Sequence, residues 1–274
     1  MRPHSLLQQR DDTMPTERIT FPGHASTLAA RLDLHEGPHL AAAVFAHCFT
    51  CGKDIPAARR IAARLTTLGI AVLRFDFTGL GHSDGEFANT SFTSNVQDLE
   101  KAVEYLNEKG VPPSLMIGHS LGGAAVLKAT ANLDQIKAVA TIGAHFDHGP
   151  VTHNFADAVP EIIAKGEAEV RLGGRPFRIG KQFIEDVAGE ALSPVIGKLK
   201  AALMVLHAPG DTIVSINNAS DIFLAAKHPK SFVTLDDADH LVTRAEHAEY
   251  AADIIATWAR KYLELKPPAP PIGG

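Results

Sequence analysis

The chain has 274 residues, of which 45% are hydrophobic and 21% charged, so it is long enough to bury the core of one α/β domain. Its formal net charge of -5 and the lack of a long Lys/Arg run argue against nucleic acid or an anionic membrane as a partner. The only two cysteines, Cys48 and Cys51, exclude a disulfide-rich scaffold and favour a reducing compartment. The N-terminus is polar and no apolar run reaches membrane-spanning length, so we predict a cytoplasmic protein.

The chain begins with an expected edge hairpin, residues 17–21 and 27–34, and continues as alternating strands and helices. Short runs rich in Val, Ile and Leu alternate with amphipathic segments, which predicts a parallel sheet covered on both faces by helices. The predicted strands are 40–47, 70–77, 114–118, 136–142, 201–207 and 231–235, and the predicted helices are 55–68, 94–109, 121–131, 217–226 and 244–263. This order indicates an α/β fold with a mostly parallel, doubly wound sheet of about eight strands.

The alternation breaks at about residues 145–193. In this segment an amphipathic stretch precedes two alternating runs on either side of Gly173-Gly174, which predicts a β-hairpin. We interpret the segment as a small helix-plus-hairpin cap inserted after the sixth strand. The domain would then extend over residues 16–264, between a flexible tail at 1–15 and a Pro-rich, linker-like tail at 265–274.

Two segments match the pattern Gly-x-Ser-x-Gly, with Ser83 and Ser120 at their centres. A nucleophilic serine of this kind needs a strand that ends in a sharp turn and continues directly into a helix. Ser120 follows the predicted strand 114–118 and precedes the predicted helix 121–131, whereas a polar loop follows Ser83. We therefore predict that Ser120 is a nucleophile and that Ser83 is a turn residue.

The candidate acid and base follow from chain order. After a serine in such a turn, the acid and then the histidine are expected on loops at the ends of later strands. Asp211 follows the predicted strand 201–207, and His240 lies between the last predicted strand and the C-terminal helix. We predict that His240 is the base and that Asp211 orients it.

Two backbone N–H groups are expected to bind the negatively charged oxygen that forms when the serine attacks. The residue after the nucleophile supplies one, which predicts Leu121, and the loop after the strand 40–47 supplies the other, which predicts Phe49. The neighbouring Cys48 and Cys51 also have the spacing of a redox pair or of half a zinc site. A zinc site needs further ligands, and the role of the pair stays open.

We expect neither a cofactor nor a metal ion. A dinucleotide fingerprint needs a third glycine followed at once by a helix, but a polar loop follows Gly79, Gly81 and Gly85. One cluster near the start of the cap is interpreted as ordinary loop residues rather than metal ligands, namely His145, Asp147, His148 and His153.

Four segments together resemble one bacterial family: Ala-His-Cys-Phe-Thr-Cys at 46–51, Arg-Phe-Asp-Phe-Thr-Gly-Leu-Gly at 74–81, Gly-His-Ser-Leu-Gly-Gly at 118–123 and Asp-Asp-Ala-Asp-His at 236–240. Over residues 16–263 the chain resembles the hydrolase half of α/β-hydrolase proteins fused to an OsmC-like domain. The resemblance implies an α/β-hydrolase fold with Ser120, Asp211 and His240 as the catalytic triad. An OsmC-like domain would be a partner if the chain was excised from such a fusion.

The resemblance and the residues together predict a serine hydrolase, a carboxylesterase that cleaves small to medium esters through an acyl-enzyme on Ser120. The cap also resembles the insert of bacterial feruloyl and cinnamoyl esterases, which favours carboxylic esters. A thioesterase, a peptidase and an acyltransferase are alternatives because the same triad serves each of them. A non-catalytic binding module is the alternative from a different class. The expected partner is a small-molecule ester, and the oligomeric state stays open.

Overall fold

The computed structural model describes residues 15–35, 37–147, 149–189 and 191–263. The strands in these ranges form a central sheet of eight strands and a separate hairpin of two. In chain order the strands are β1 (Thr16–Pro22), β2 (Thr27–Asp33), β3 (Ala41–Ala46), β4 (Ile70–Phe75), β5 (Leu115–His119), β6 (Ala138–Ile142), β7 (Glu167–Leu172), β8 (Arg175–Gly180), β9 (Ala202–His207) and β10 (Lys230–Thr234). β7 and β8 form a separate hairpin, and the others lie in the order β1-β2-β4-β3-β5-β6-β9-β10. The β1–β2 and β2–β4 pairs are antiparallel and the remaining pairs of this sheet are parallel. The predicted mostly parallel α/β sheet is confirmed.

Helices cover both faces of this sheet. In chain order they are α1 (Pro56–Thr67), α2 (Phe92–Glu108), α3 (Leu121–Thr130), α4 (Val159–Lys165), α5 (Lys181–Val187), α6 (Ser193–Ile196), α7 (Asn217–Ala225) and α8 (Ala245–Ala259). α1 and α8 bury Ile61 and Ile255 on one face, and α2 and α3 bury Leu99 and Leu127 on the other. Burying one such side chain stabilises the fold by roughly 1.5–3 kcal/mol, so each face holds its helices through many apolar contacts. Within the described ranges, every helix is too short or too polar to span a bilayer.

The strand predicted at 70–77 ends earlier than expected, at Phe75. All residues of β4 are buried, which explains the apolar run that predicted the strand. Asp76 leaves the sheet because its carboxylate accepts hydrogen bonds from the backbone N–H groups of Lys53 and His82. The chain therefore turns away at the carboxyl end of β4, beside the loop that follows β3.

The segment between β6 and β9 forms a small cap that contacts the loops after β3 and β4. It contains a 3₁₀ helix at Gly149–Ala158, then α4, the β7–β8 hairpin, α5 and α6. β7 and β8 pair antiparallel about Gly173-Gly174, as the sequence predicts. Residues 1–14 and 264–274, which include nearly all of the two predicted tails, lie outside the described residues.

Candidate active site

Ser120 lies in a sharp turn between β5 and α3, at the carboxyl end of the sheet. Its φ is 56° and its ψ is -122°, a strained conformation for a residue with a side chain. Glycine is required on both sides of this turn. A Cβ at Gly118 would lie 2.3 Å from the Gly122 carbonyl oxygen, and a Cβ at Gly122 would lie 2.3 Å from the His47 carbonyl oxygen. The strand and the helix can therefore cross closely enough to hold the Ser120 hydroxyl above the sheet.

Ser83, the serine of the second Gly-x-Ser-x-Gly segment, has a different environment. Its hydroxyl donates to the carbonyl oxygen of Asp76 at 2.6 Å and accepts from the backbone N–H of Ala29 at 2.9 Å. The structure places it in a turn that ties the loop after β4 to the edge strand β2, in agreement with its interpretation as a turn residue.

The structure brings together the three predicted side chains from three separate loops. His240 Nε2 is 3.0 Å from Ser120 Oγ, and His240 Nδ1 is 2.7 Å from Asp211 Oδ2. The side chains of His240 and Asp211 are only 8% and 1% exposed. In this arrangement Nδ1–H donates to the carboxylate, which leaves Nε2 free to accept the serine proton.

The carboxylate of Asp211 is held by more than the histidine. Oδ1 accepts hydrogen bonds from the backbone N–H groups of Ile213 at 2.8 Å and Val214 at 2.9 Å. Burial raises the pKa of Asp211, but the hydrogen bonds from His240 and these backbone groups outweigh burial and leave the pKa below its ordinary value. Asp211 is therefore ionised at neutral pH and can stabilise a protonated His240.

Two buried histidines support the site and were not identified from the sequence. His119 Nε2 donates to the carbonyl oxygen of His240 at 2.7 Å, which fixes the backbone of His240. His207 Nε2 donates to the carbonyl oxygen of Val214 at 2.8 Å, which fixes the loop that carries Asp211. His119 directly follows a predicted strand and His207 ends one, and a polar residue after an apolar run was the only signal in the sequence.

His119 makes the stability of the fold depend on pH. Burial and the nearby His240 lower the pKa of His119 from 6.5 to about 4. The unfolded chain therefore binds more protons than the folded chain between these pH values, so stability falls as pH decreases through this window. We expect His119→Gln, whose amide can still donate to the carbonyl of His240, to abolish about 3 kcal/mol of this pH dependence. Urea denaturation of both proteins from pH 4 to 7 would measure the difference, and parallel stability curves would contradict it.

The two predicted N–H donors lie on neighbouring segments. Leu121 is the first residue of α3, where a helix has backbone N–H groups without intrahelical acceptors. Phe49 lies in the loop after β3, which approaches α3 closely enough that Gly122 has no room for a Cβ beside the His47 carbonyl. Within the described part of the chain, the Phe49 N–H has no hydrogen-bond acceptor. Their role in binding an oxyanion stays a prediction.

Cys48 and Cys51 are joined by a disulfide, with their Cα atoms 5.2 Å apart. The sequence left the role of this pair open and favoured a reducing compartment, where such bonds are rare. The bonded state differs from that expectation. The two cysteines can bond because the tight turn after β3 brings their side chains together around Phe49.

An aromatic cluster joins the cap to this turn. The Phe49 ring stacks on Phe183 at 5.2 Å between centroids and lies 6.3 Å from Phe155 and 5.8 Å from Phe87. Phe87 in turn contacts Phe177 of the hairpin at 5.6 Å. These five rings form an apolar wall beside the loop that carries Phe49. The sequence could not place the three cap residues of this cluster.

No metal site is found among the described residues, because no group of three or more His, Cys, Asp or Glu side chains there is arranged to hold an ion. Of the cluster named from the sequence near the start of the cap, His148 lies outside the described residues.

Comparison with known proteins identifies relatives of this arrangement. A family model described as serine aminopeptidase, S33, matches residues 41–174. The esterase domain of a Rhodothermus marinus protein is 44% identical, and the match covers 91% of this chain and 100% of that domain with a TM-score of 0.73. Mouse palmitoyl-protein thioesterase ABHD10, mitochondrial, is 32% identical over 158 residues, 54% of this chain and 51% of its own length. The chain thus spans about half the length of this mouse relative.

A more distant solved structure shows the fold alone. Est1E from Butyrivibrio proteoclasticus, with ferulic acid bound, is 20% identical, and the match covers 89% of this chain and 99% of that one with a TM-score of 0.74. The eight-stranded sheet and the 44% identity over the whole Rhodothermus marinus domain show that the chain belongs to the α/β-hydrolase family.

Proposed function

We propose that the protein is a serine hydrolase, a carboxylesterase in which Ser120 is the nucleophile, His240 the base and Asp211 the acid. The observation that carries the proposal is the continuous hydrogen-bonded chain from Ser120 Oγ through His240 to Asp211, with separations of 3.0 and 2.7 Å. Nucleophile, base and orienting acid within hydrogen-bond distance is the arrangement that nucleophilic catalysis needs.

In the first half of the reaction, His240 Nε2 accepts the hydroxyl proton as Ser120 Oγ attacks the ester carbonyl carbon. The carbonyl oxygen becomes negatively charged and accepts hydrogen bonds from the backbone N–H groups of Phe49 and Leu121. Protonated His240 is stabilised by ionised Asp211. His240 then gives its proton to the departing alcohol, and the acyl group stays bonded to Ser120 Oγ.

In the second half, water replaces the alcohol. His240 Nε2 accepts a proton from the water as its oxygen attacks the acyl-enzyme, and the same two N–H groups bind the second oxyanion. When the intermediate collapses, His240 returns the proton to Ser120 Oγ and the carboxylic acid is released. Neither half needs a cofactor.

The comparisons support an acyl substrate. The Rhodothermus marinus relative is an esterase domain and the mouse relative is a palmitoyl-protein thioesterase. The aromatic cluster places apolar surface beside Phe49, which favours an apolar acyl or alcohol group. A thioesterase is the second candidate, favoured by the mouse relative. A cytoplasmic location and the lack of a nucleic-acid or membrane partner stay predictions.

A matched substrate series tests the proposal. We expect turnover of p-nitrophenyl esters with two to eight acyl carbons, with kcat/KM decreasing for the sixteen-carbon ester. Acyl thioesters of the same chain lengths serve as the control for bond type. A preference for long-chain thioesters over all p-nitrophenyl esters would favour the thioesterase instead. Folded protein without turnover of either series, and unreactive toward a fluorophosphonate, would support a binding module.

A further inference from the structure

We propose that Cys48 and Cys51 form a reversible redox site that controls the oxyanion loop, defined here as residues 47–51. The inference rests on the proposed function, because it concerns the Phe49 N–H as an oxyanion donor. The disulfide spans Phe49 and Thr50, so it closes the turn that carries this donor. Its state would decide whether the donor is held in position.

The Phe49 N–H and the Cys48 carbonyl belong to one planar peptide group and therefore turn together. Two donors hold that carbonyl oxygen: His47 Nδ1 at 2.8 Å and the backbone N–H of Cys51 at 3.1 Å. His47 Nε2 accepts from the backbone N–H of Phe77 at 3.4 Å, which assigns the ring hydrogen to Nδ1. The orientation of the Phe49 N–H thus depends directly on keeping Cys51 against Cys48.

The backbone of the loop is strained at Thr50. Thr50 has a φ of 56°, a conformation that β-branched residues avoid and that persists only where the surroundings enforce it. One restraint comes from the cap, where Arg175 Nη2 donates to the Thr50 carbonyl oxygen at 2.5 Å. The disulfide across the same turn is another restraint. Without it, Thr50 can relax and carry the Phe49 peptide with it.

The two cysteines differ in accessibility. Cys48 is buried, whereas Cys51 is partly exposed. A thiolate of a cellular dithiol can therefore attack Cys51 Sγ, which forms a mixed disulfide and releases Cys48 as a thiolate that takes up a proton. The second thiol of the reductant then attacks the reductant's first sulfur, which is bonded to Cys51 Sγ in the mixed disulfide. This attack releases Cys51 as a thiol. The reductant is oxidised to a disulfide, and the protein gains two electrons and two protons.

The expected consequence is a change in kcat rather than in substrate binding. An oxyanion donor acts mainly on the transition state, and loss of one such donor typically lowers kcat by about 10²- to 10³-fold. After reduction His47 and Arg175 still restrain the loop, so the loss should be smaller than that of a deleted donor. We expect kcat to fall by at least about tenfold with a smaller change in KM.

The experiment compares the oxidised protein, the same protein reduced with a phosphine and desalted, and the reoxidised protein. A phosphine is used because a thiol reductant would itself cleave p-nitrophenyl esters. Alkylation followed by mass measurement reports the state of both cysteines, and kcat and KM are measured on a short-chain p-nitrophenyl ester. We expect kcat to fall on reduction and to recover on reoxidation. The double variant Cys48→Ser, Cys51→Ser should have the lower kcat and no response to the phosphine.

Three other outcomes would each overturn the inference. Equal kcat values in the two states, even with a lower melting temperature after reduction, would overturn the redox control and leave the proposed hydrolase intact. Alkylation of both cysteines after oxidation would do the same, because no bond would have formed. No turnover in either state would overturn the proposed function and the inference with it. Since the reduced wild-type protein is itself measured, a misfolded double variant does not affect the decision.

Discussion

Replacing Ser120 with alanine is expected to lower kcat on a p-nitrophenyl ester by about 10⁴- to 10⁶-fold while the fold stays intact. The hydroxyl is the only group removed, and its hydrogen bond in the described residues is the one with His240 Nε2 at 3.0 Å. The backbone that makes the turn, with its glycines on both sides, is unchanged. Measurement of kcat together with the melting temperature separates loss of the nucleophile from loss of the fold.

Ser83→Ala is the matched control, because it changes the central serine of the other Gly-x-Ser-x-Gly segment. The Ser83 hydroxyl makes hydrogen bonds with the backbone of Asp76 and Ala29, so its loss should lower stability by about 1–3 kcal/mol. We expect its kcat to stay within a few-fold of the wild-type value. The reverse result, an inactive Ser83→Ala and an active Ser120→Ala, would show that the assignment of the nucleophile to Ser120 is wrong.

Much of the fold and of the candidate site could be predicted because each signal is local. Apolar runs buried on both faces identify parallel strands, and the amphipathic segments between them identify helices. The carboxyl ends of parallel strands lie at one edge of the sheet, so Ser120, Asp211 and His240 could be expected close together from their positions after three strands. Their roles as acid and base are predicted from chain order and stay predictions.

The interactions that surround these three residues could not be predicted, because they join segments far apart in the sequence. His119 contacts the backbone of His240, 121 residues later, and Arg175 contacts Thr50 from the cap. The Cys48–Cys51 pair was recognisable from its spacing, but spacing alone does not distinguish a disulfide from two thiols. Its position around the Phe49 N–H could be seen only from the shape of the turn.

The same limit applies to Asp76, which the sequence placed inside a strand and which the structure places in a buried ion pair. Its carboxylate lies 2.6 Å from Lys53 Nζ, and the two side chains are 2% and 5% exposed. Burial raises the pKa of Asp76, but hydrogen bonds from the Lys53 side chain and backbone and from the His82 backbone outweigh it and lower the pKa. In its ionised form Asp76 therefore joins the loop before α1 to the turn after β4.

Asp76→Ala is expected to lower the free energy of unfolding by about 3–5 kcal/mol, because it leaves the Lys53 ammonium buried without its closest partner. Asp134→Ala is the matched control. Asp134 lies 2.8 Å from Lys200 Nζ, but the two side chains are 78% and 79% exposed, so solvent screens this pair and the loss should be far smaller than that of Asp76→Ala. Urea denaturation at pH 7 measures both. Because the lowered pKa of Asp76 adds stability only where the group is ionised, the gap to wild type should narrow as pH falls below about 4.

The double variant Lys53→Met, Asp76→Ala identifies the origin of the loss. If the unpaired ammonium is responsible, removing it should restore part of the stability, since an apolar side chain of similar size is tolerated where an isolated charge is not. If the double variant is as unstable as Asp76→Ala, the hydrogen bonds that the carboxylate accepts from the backbone N–H groups of Lys53 and His82 are what hold the two loops together. Equal free energies of unfolding for Asp76→Ala and Asp134→Ala would show that the buried ion pair contributes no more to stability than the exposed one.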